Sequence, residues 1–157
     1  MRILTIDQAA VMSTDAQKSG KKVVTTNGTF DLLSVAHVRL LEAAKKEGDI
    51  LIVGVNSDAS VKALKGNDRP VVSEEERATL VASLRAVDAV FLFDDADPRV
   101  WLSVIKPDVH VNSEEYGKEC VEAETVREIG AKLVLAPRAT EIKSTSKRIE
   151  DIVQRFS

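Results

Sequence analysis

Residues 25–37 read TTNGTFDLLSVAH and carry the clearest structural signal in the sequence. A β-branched run ends here, Gly28 follows it, and Ser34 stands where a helix N-cap is expected. The pattern predicts a strand, a turn and a helix. Gly28 would let a ligand approach the backbone closely, and the positive end of the following helix favours an anion such as phosphate. On these residues alone, an ordinary turn between strand and helix is an equally good interpretation.

Short runs rich in Val, Ile, Leu and Phe alternate with longer amphipathic stretches along the rest of the chain. Such runs are typical of strands buried on both faces of a parallel sheet, and the alternation implies right-handed βαβ units. The sequence therefore predicts an α/β fold: a Rossmann-like, doubly wound five-stranded parallel sheet with helices on both faces. Ligands bind such sheets at the carboxyl ends of the strands. The predicted strands are 22–26, 50–55, 89–93, 109–112 and 132–135.

Capping residues and apolar spacing define the expected helices. Gly48 is expected to close the second helix as its C′ residue, and Ser73 and Glu76 are expected to form a capping box. Asp97 is expected to cap a helix of which Pro98 is the first residue. The expected helices are 7–18, 35–47, 73–85, 98–106, 117–129 and 145–156.

The composition is that of an ordinary globular protein. The chain has 157 residues, a net charge of −3 and 44% hydrophobic residues, which fits one domain over 1–157 with a helical extension over 1–20. The acidic balance argues against a nonspecific nucleic-acid binder, and no apolar run is long enough to span a bilayer. We therefore expect a cytoplasmic protein with neither nucleic acid nor membrane as partner. The single cysteine, Cys120, excludes an intramolecular disulfide and is interpreted as a packing residue of the helix over 117–129.

Residues 27–33, NGTFDLL, followed by His37, resemble the start of the cytidylyltransferase-like nucleotidyltransferases, and within them the heptose-1-phosphate adenylyltransferase branch. That branch also occurs as one domain of bifunctional heptose-phosphate kinase/adenylyltransferase proteins. The likeness continues in the correct order to the last helix, and an ordered series is far more specific than any single motif. The further motifs are VGVNSD at 53–58, LKG at 64–66, RPV at 69–71, EER at 75–77, KPD at 106–108 and STS at 144–146.

The resemblance implies that a nucleotidyl group, adenylyl in this branch, passes from ATP with Mg²⁺ to a phosphorylated acceptor such as a sugar 1-phosphate, releasing pyrophosphate. Because both reactants are anions, such catalysis rests on positioning and electrostatic stabilisation. The resemblance carries over His37, Ser34 and Lys65 as catalytic residues and Asn112 and Tyr116 as acceptor-binding residues, with no metal ligand and with a homodimer as the expected assembly. The nucleotide-binding residues that it implies are Asn27, Gly28, Thr29, Phe30, Ala36, His37, Arg138, Ser144, Thr145 and Ser146.

Two motifs depart from the family pattern. The signature His-x-Gly-His reads Ser34-Val35-Ala36-His37 here, so one imidazole is lost and a methyl group is added where the nucleotide approaches. The loss of one preorganised donor typically costs roughly 10²–10³ in rate. The Lys-Gly-Gly-Asp-Tyr of the heptose branch reads NSEEY at 112–116, which removes a phosphate-binding lysine and adds Glu114.

Alternatives stay open for individual residues. Ser34 either caps its helix only or also contacts a phosphate, and Lys65 either faces the triphosphate or belongs to a solvated basic stretch. Asp31 is expected to order its loop rather than to act as a base. Trp101 is expected in the core or in an interface, and His110 is expected to be packed on its strand.

Three functions remain compatible with the sequence. The first is the nucleotidyl transfer described above, with activity weakened by the altered signature. The second is a catalytically impaired protein that still binds a nucleotide and acts as a regulatory protein or a partner subunit. The third is a related FAD- or CDP-alcohol-forming transferase.

Overall fold

The computed structural model describes residues 2–95, 97–137 and 141–157. Within these ranges its centre is one sheet of six parallel strands in the order β1-β4-β3-β2-β5-β6. The strands are β1 (Ile3–Leu4), β2 (Val23–Gly28), β3 (Ile50–Asn56), β4 (Ala89–Phe93), β5 (Val109–Ser113) and β6 (Lys132–Ala136). The helices are α1 (Ile6–Lys18), α2 (Val35–Lys45), α3 (Asp58–Lys65), α4 (Glu74–Ala82), α5 (Arg99–Ile105), α6 (Ala123–Glu128) and α7 (Thr145–Phe156), and a 3₁₀ turn covers Glu114–Tyr116.

The α/β fold and its parallel sheet are confirmed, but the sheet has six strands and not five. The sixth strand is β1, which pairs with β4 at the edge of the sheet through Ile3 and Leu4. A strand of two residues has too little alternation to be detected as a pattern. The five predicted strands are all present, with their ends shifted by at most two residues.

Successive strand residues point into two separate cores. Leu51 and Val53 belong to the core covered by α2 and α4, whereas Ile52 belongs to the core that α1 and α5 cover. This period of two confirms that helices lie on both faces of the sheet. Trp101 is fully buried in the second core, as expected, and α1 packs against α5 and β4. No helix among the described residues is long and apolar enough to cross a membrane.

The end of α2 differs from the expectation. The helix ends at Lys45, and Gly48 does not take the left-handed conformation of a C′ residue. A Cβ atom at Gly48 would instead lie 2.7 Å from a methyl carbon of Val24 and 2.8 Å from the carbonyl oxygen of Lys22. Glycine is needed here because the chain passes close to the start of β2.

The helix expected over 117–129 is wrong in its first half. A 3₁₀ turn ends at Tyr116, Gly117 has a φ of 70°, and α6 begins only at Ala123. Cys120 therefore lies in the turn before α6 and not inside a helix. The pattern of apolar residues could not show this break, because it continues through the turn.

Smaller differences concern the other helix starts. α3 is absent from the sequence-based prediction; Ser57 caps it, and Lys65 is its last residue. Pro98, and not Asp97, is the N-cap residue of α5. Asp97 precedes the N-cap, and its carboxylate accepts a hydrogen bond from the Arg99 N–H. Ser73 caps α4 as expected, but its hydroxyl donates to the Glu76 carboxylate, and the helix ends at Ala82 rather than near 85.

The strand order creates a switch point between β2 and β5. From β2 the chain builds β3 and β4 on one side, and it then crosses to form β5 on the other side of β2. The connections that leave β2 and β5 thus diverge above their carboxyl ends. A crevice at this position is the usual ligand site of an open α/β sheet.

The side chain of Arg77, in α4, holds this edge of the sheet together. It is fully buried, and its guanidinium donates to the carbonyl oxygens of Thr29, Asn56 and Val72 at 2.6, 2.7 and 2.9 Å. It also pairs with the Asp58 carboxylate at 2.7 Å. One side chain thereby connects the segment after β2, the end of β3, the loop before α4 and the start of α3.

We expect Arg77→Met to lower the free energy of unfolding by about 3 kcal/mol, because three buried carbonyls and a carboxylate lose their partner. Urea unfolding with an unchanged m value measures the loss. The control is Arg85→Met, which removes an exposed arginine and should change stability by about 0.5 kcal/mol or less. Equal effects of the two substitutions would contradict the role given to Arg77.

Candidate functional site

A cleft of about 680 Å³ opens at the carboxyl ends of β2 and β5. Residues from the loop after β2, from α2, from the end of α3 and from the start of α7 line it, as do residues that follow β5. The structure thus brings together every described residue that the sequence analysis assigned to the site. These are Asn27, Gly28, Thr29, Phe30, Ser34, Ala36, His37, Lys65, Asn112, Tyr116, Ser144, Thr145 and Ser146; Arg138 lies outside the described residues.

The floor of the cleft is a tightly held loop after β2. Phe30 and Leu32 both have positive φ values, 52° and 49°, which side chains with a Cβ adopt only where the surroundings enforce them. The Phe30 ring lies against Gly28, where an added Cβ atom would come within 3.2 Å of it. It also contacts the His37 ring edge-on, with 5.5 Å between the ring centroids.

Asp31 fixes the same loop to the segment before α4. Its buried carboxylate accepts hydrogen bonds from Arg69 Nε at 2.8 Å and from the N–H groups of Val71 and Val72. Burial by itself raises the pKa of this carboxyl, but the hydrogen bonds from Val71, Arg69 and Val72 outweigh it and lower the pKa. With its oxygens committed in this way, Asp31 orders the loop, in agreement with the sequence-based interpretation.

The imidazole of His37 is oriented by the backbone of Ser34. The Ser34 N–H donates to His37 Nδ1 at 3.1 Å, and Ser34 is the N-cap of α2. Because a backbone N–H can only donate, Nδ1 is the acceptor and the neutral ring carries its proton on Nε2. Burial, together with the cations of Lys65 and Arg148, lowers the pKa of His37. The site thus holds a neutral imidazole that can donate one hydrogen bond.

The start of α7 closes the cleft on another side. Ser144 caps this helix by accepting a hydrogen bond from the Lys147 N–H at 3.3 Å. The Thr145 hydroxyl donates to the Asp31 carbonyl oxygen at 3.0 Å, which ties the helix to the loop after β2. The first turns of α2 and α7 therefore line one cleft, and each contributes the positive end of its helix dipole.

Comparison with known proteins identifies the family of this chain. The sequence profile of the cytidylyltransferase-like family matches residues 25–156. The chain belongs to the cytidylyltransferase-like family. It is 47% identical over 128 residues to the bifunctional protein HldE of Nitratiruptor sp., an alignment that covers 81% of this chain and 28% of that protein. The chain therefore spans less than a third of the length of this relative, and the HldE match agrees with the branch indicated by the motifs.

Two solved structures share the fold of this chain. The lipopolysaccharide core biosynthesis protein from Thermoplasma volcanium has a TM-score of 0.62 and 28% identity, over 76% of this chain and 98% of that one. Pantoate-β-alanine ligase from Francisella tularensis, solved with an ATP analogue and β-alanine, has a TM-score of 0.66 and covers 99% of this chain and 78% of its own. At 17% identity, the second likeness shows the fold alone.

Three cationic side chains line this cytidylyltransferase-like cleft. Lys65 at the end of α3, Arg69 and Lys143 line the cleft together with His37. Arg69 is paired with Asp31, and Lys143 is paired with Asp151. Burial and the neighbouring Arg69 lower the pKa of Lys65. We call Lys65, Arg69, Lys143 and His37 together the basic wall.

A second group of lining residues comes from the end of β5 and the segment after it, and we call Asn112, Ser113, Glu115, Tyr116, Cys120 and Glu122 the β5 wall. Tyr116 is 64% exposed, whereas Glu122 is 4% exposed and accepts a hydrogen bond from the Asn112 amide. The sequence analysis missed Glu122, because its contact with Asn112 spans ten positions across a turn that was predicted as helix.

His37 should titrate below its ordinary pKa of about 6.5. The folded state binds this proton less tightly than the unfolded chain does. The contribution of His37 to the free energy of unfolding is therefore complete above about pH 6.5 and is lost as the pH falls from there through the folded pKa. The measurement is the Cε1-proton NMR shift against pH, which is simple in a chain with two histidines, and His37→Gln assigns the signal. A midpoint at or above 6.5 would contradict the buried, neutral imidazole.

Proposed function

We propose that this chain transfers an adenylyl group from ATP to a phosphorylated acceptor such as a sugar 1-phosphate and releases pyrophosphate. The supporting observation is that the N-terminal turns of α2 and α7 line one cleft at the switch point of the sheet, beside His37 and Lys65. Helix N-termini with unpaired N–H groups are sites for phosphate. Two of them on one cleft suit a triphosphate and a second phosphate held side by side.

The bond changes need little covalent chemistry from the protein. An oxygen of the acceptor phosphate attacks the α-phosphorus of ATP, and the bond from that phosphorus to the bridging oxygen breaks with its electron pair leaving on pyrophosphate. The attacking phosphate oxygen is already ionised, so the step requires no general base. The protein must hold two anions in line and stabilise charge on the transferred group.

Each part of the basic wall has a role in that stabilisation. The Nε2–H of His37 is the donor for an oxygen of the transferred phosphoryl group, and its orientation is set from the other side of the ring by the Ser34 N–H. Lys65 lines the same cleft and offsets negative charge. In this proposal Asn27, Gly28, Thr29, Phe30, Ala36 and Ser144–Ser146 bind the nucleotide, Arg138 joins them, and Asn112 and Tyr116 bind the acceptor.

Mg²⁺ is proposed as part of the nucleotide substrate. Among the described residues, no group of three His, Cys, Asp or Glu side chains is placed to hold a metal ion. Magnesium commonly binds through substrate phosphates with only one or two carboxylates from the protein. Its role here would be to neutralise the triphosphate, and we assign no protein ligand to it.

The altered signature favours a second candidate, a protein that binds the nucleotide but turns it over slowly. Ser34 replaces an imidazole and Ala36 adds a methyl group to the cleft wall. The backbone of the two helix starts and of the loop after β2 is present with either change, so the elements proposed to bind the nucleotide are kept. A related transferase that forms FAD or a CDP-alcohol would use the same elements with a different acceptor or base.

Pyrophosphate release distinguishes these functions. The assay supplies Mg²⁺ with ATP or CTP and a panel of sugar and alcohol phosphates. We expect turnover with ATP and a sugar 1-phosphate, and a decrease of about 10²–10³ in kcat for His37→Asn, because one preorganised donor is lost. Preference for CTP with an alcohol phosphate would move the assignment to the third function.

The variant Ser34→His/Ala36→Gly tests whether the altered signature limits the rate. We expect its kcat to exceed that of the natural chain by about 10²-fold, since it regains a phosphoryl donor and space for the nucleotide. Ala36→Gly alone is the control that separates the two effects. Silence of the natural chain with activity in the double variant would indicate a binding scaffold with a decayed site, and silence of both would reject the sugar-phosphate acceptor.

A further inference from the structure

Lys65 differs from the other cations of the basic wall. Arg69 is paired with Asp31, and Lys143 is paired with Asp151. Lys65 forms no hydrogen bond or ion pair with any residue that the structure describes. It is the last residue of α3, and it is accessible both to solvent and to the cleft. Its amine is therefore free to meet a reagent that enters the cleft.

The surroundings of Lys65 favour its neutral amine. Partial burial and the Arg69 guanidinium lower the pKa of Lys65, and Arg77 acts in the same direction. The carboxylates of Asp31 and Glu115 act in the opposite direction, but the pKa stays below its ordinary value. A lysine attacks as the neutral amine, and burial or a neighbouring cation makes that form more abundant at neutral pH.

Arg69 also offers a binding group for a phosphate. Its Nε donates to the Asp31 carboxylate, and its side chain is 12% exposed at the lining of the cleft. Its two terminal nitrogens form no hydrogen bond with any described residue, and they are not buried. A guanidinium with free terminal N–H groups binds a phosphate through two parallel hydrogen bonds. The His37 ring contributes its Nε2–H to the same cleft.

We propose that Lys65 is a site of covalent modification by small acyl phosphates. The phosphate of the reagent binds to Arg69 and His37, which places the acyl carbon beside Lys65 Nζ. The lone pair of the neutral amine attacks the acyl carbon, and the bond from that carbon to the bridging oxygen breaks. The electron pair of this bond leaves on the phosphate, which also takes the proton from the amine. The products are an uncharged amide on Lys65 and inorganic phosphate, so the step requires no further reactant.

The modification changes the cleft in two ways. It removes the positive charge of Lys65, and it adds an acyl group to the lining. Both changes oppose the binding of a triphosphate, and a bound phosphate compound in turn shields Lys65 from the reagent. The site itself depends on the contacts of Lys65, Arg69 and His37, whereas its effect on turnover rests on the proposed function. We therefore expect acylation and nucleotide binding to exclude each other.

The test measures the rate of acetylation at each lysine of the full chain by mass spectrometry. The reagent is acetyl phosphate at millimolar concentration, and the matched control is Lys62, an exposed residue one turn earlier in the same helix. We expect Lys65 to be acetylated at least about tenfold faster than Lys62, because the bound phosphate holds the acyl carbon at the amine. Equal rates at the two lysines overturn the inference.

Two further measurements separate a phosphate-directed reaction from a generally reactive amine. Millimolar pyrophosphate should slow the acetylation of Lys65 at least about fivefold and leave that of Lys62 unchanged, since it occupies the same donors. With N-hydroxysuccinimidyl acetate, an acyl donor without a phosphate, the ratio of the Lys65 rate to the Lys62 rate should fall at least about threefold. An unchanged ratio, or no protection by pyrophosphate, contradicts the assignment.

Arg69→Gln removes the guanidinium that binds the phosphate and favours the neutral amine. We expect the acetylation of Lys65 by acetyl phosphate to slow at least about fivefold in this variant. The control Arg85→Gln changes an exposed arginine and should leave the rate unchanged. An unaltered rate in a folded Arg69→Gln chain overturns the inference. If a thermal melt shows that the variant is unfolded, the pyrophosphate and ester measurements on the natural chain decide.

Pyrophosphate release is measured on the same samples. We expect its loss to follow the fraction of Lys65 that is acetylated, and Lys62→Arg to lose it at the same rate as the natural chain. Undiminished turnover of a chain fully acetylated at Lys65 would overturn the exclusion between acylation and nucleotide binding. Selective acetylation of a chain that releases no pyrophosphate would support the modification site and reject the proposed function.

Discussion

The buried guanidinium of Arg77 is the interaction on which the cleft depends. Removing a charge from water is costly, and here the cost is offset by three carbonyl oxygens and one carboxylate, all within hydrogen-bond distance. A lysine could not replace it, because an ammonium group lacks the planar fork that reaches separate chain segments at once. Asp31 performs the complementary task with a buried carboxylate. These opposite charges hold the loop after β2, in which two non-glycine residues keep positive φ values.

The loop after β2 brings several weak electrostatic contributions to one cleft. A helix N-terminus is worth little in open solvent, but the first turns of α2 and α7 face one cleft, and Thr145 ties the second helix to the Asp31 carbonyl. Partial charges from two helices, the neutral donor of His37 and the cation of Lys65 then act on the same volume. The β5 wall adds the carboxylates of Glu115 and Glu122 to the lining of the same cleft.

Much of the fold could be predicted because its signals are local. Five strands show as β-branched runs, Ser34 and Ser144 mark helix starts, and the motif order indicates the family. The features that the sequence analysis did not predict correctly depend on distant contacts or on very short elements. β1 has two residues, Gly48 is required by the Lys22 carbonyl on another segment, and the turn around Cys120 interrupts an apolar pattern that continues through it. Glu122 was missed for the same reason, since its partners Asn112 and His110 are brought to it only by the folded sheet.

The contact between Ser34 and His37 also explains why the altered signature is structurally tolerable. The imidazole is oriented by the backbone N–H of residue 34, which any residue other than proline supplies, and a serine at this N-cap favours the helix start. Replacing the first histidine of the signature therefore leaves the second one in place with its proton on Nε2. The replacement removes one side-chain donor, but the backbone contact that orients the His37 imidazole is kept. The same holds after β5, where Glu122 and the Ser113 N–H hold Asn112 at the position of a family lysine. Both departures change which groups face the ligand while the elements that present them are kept, which is the pattern expected when selection or rate has changed on an unchanged scaffold.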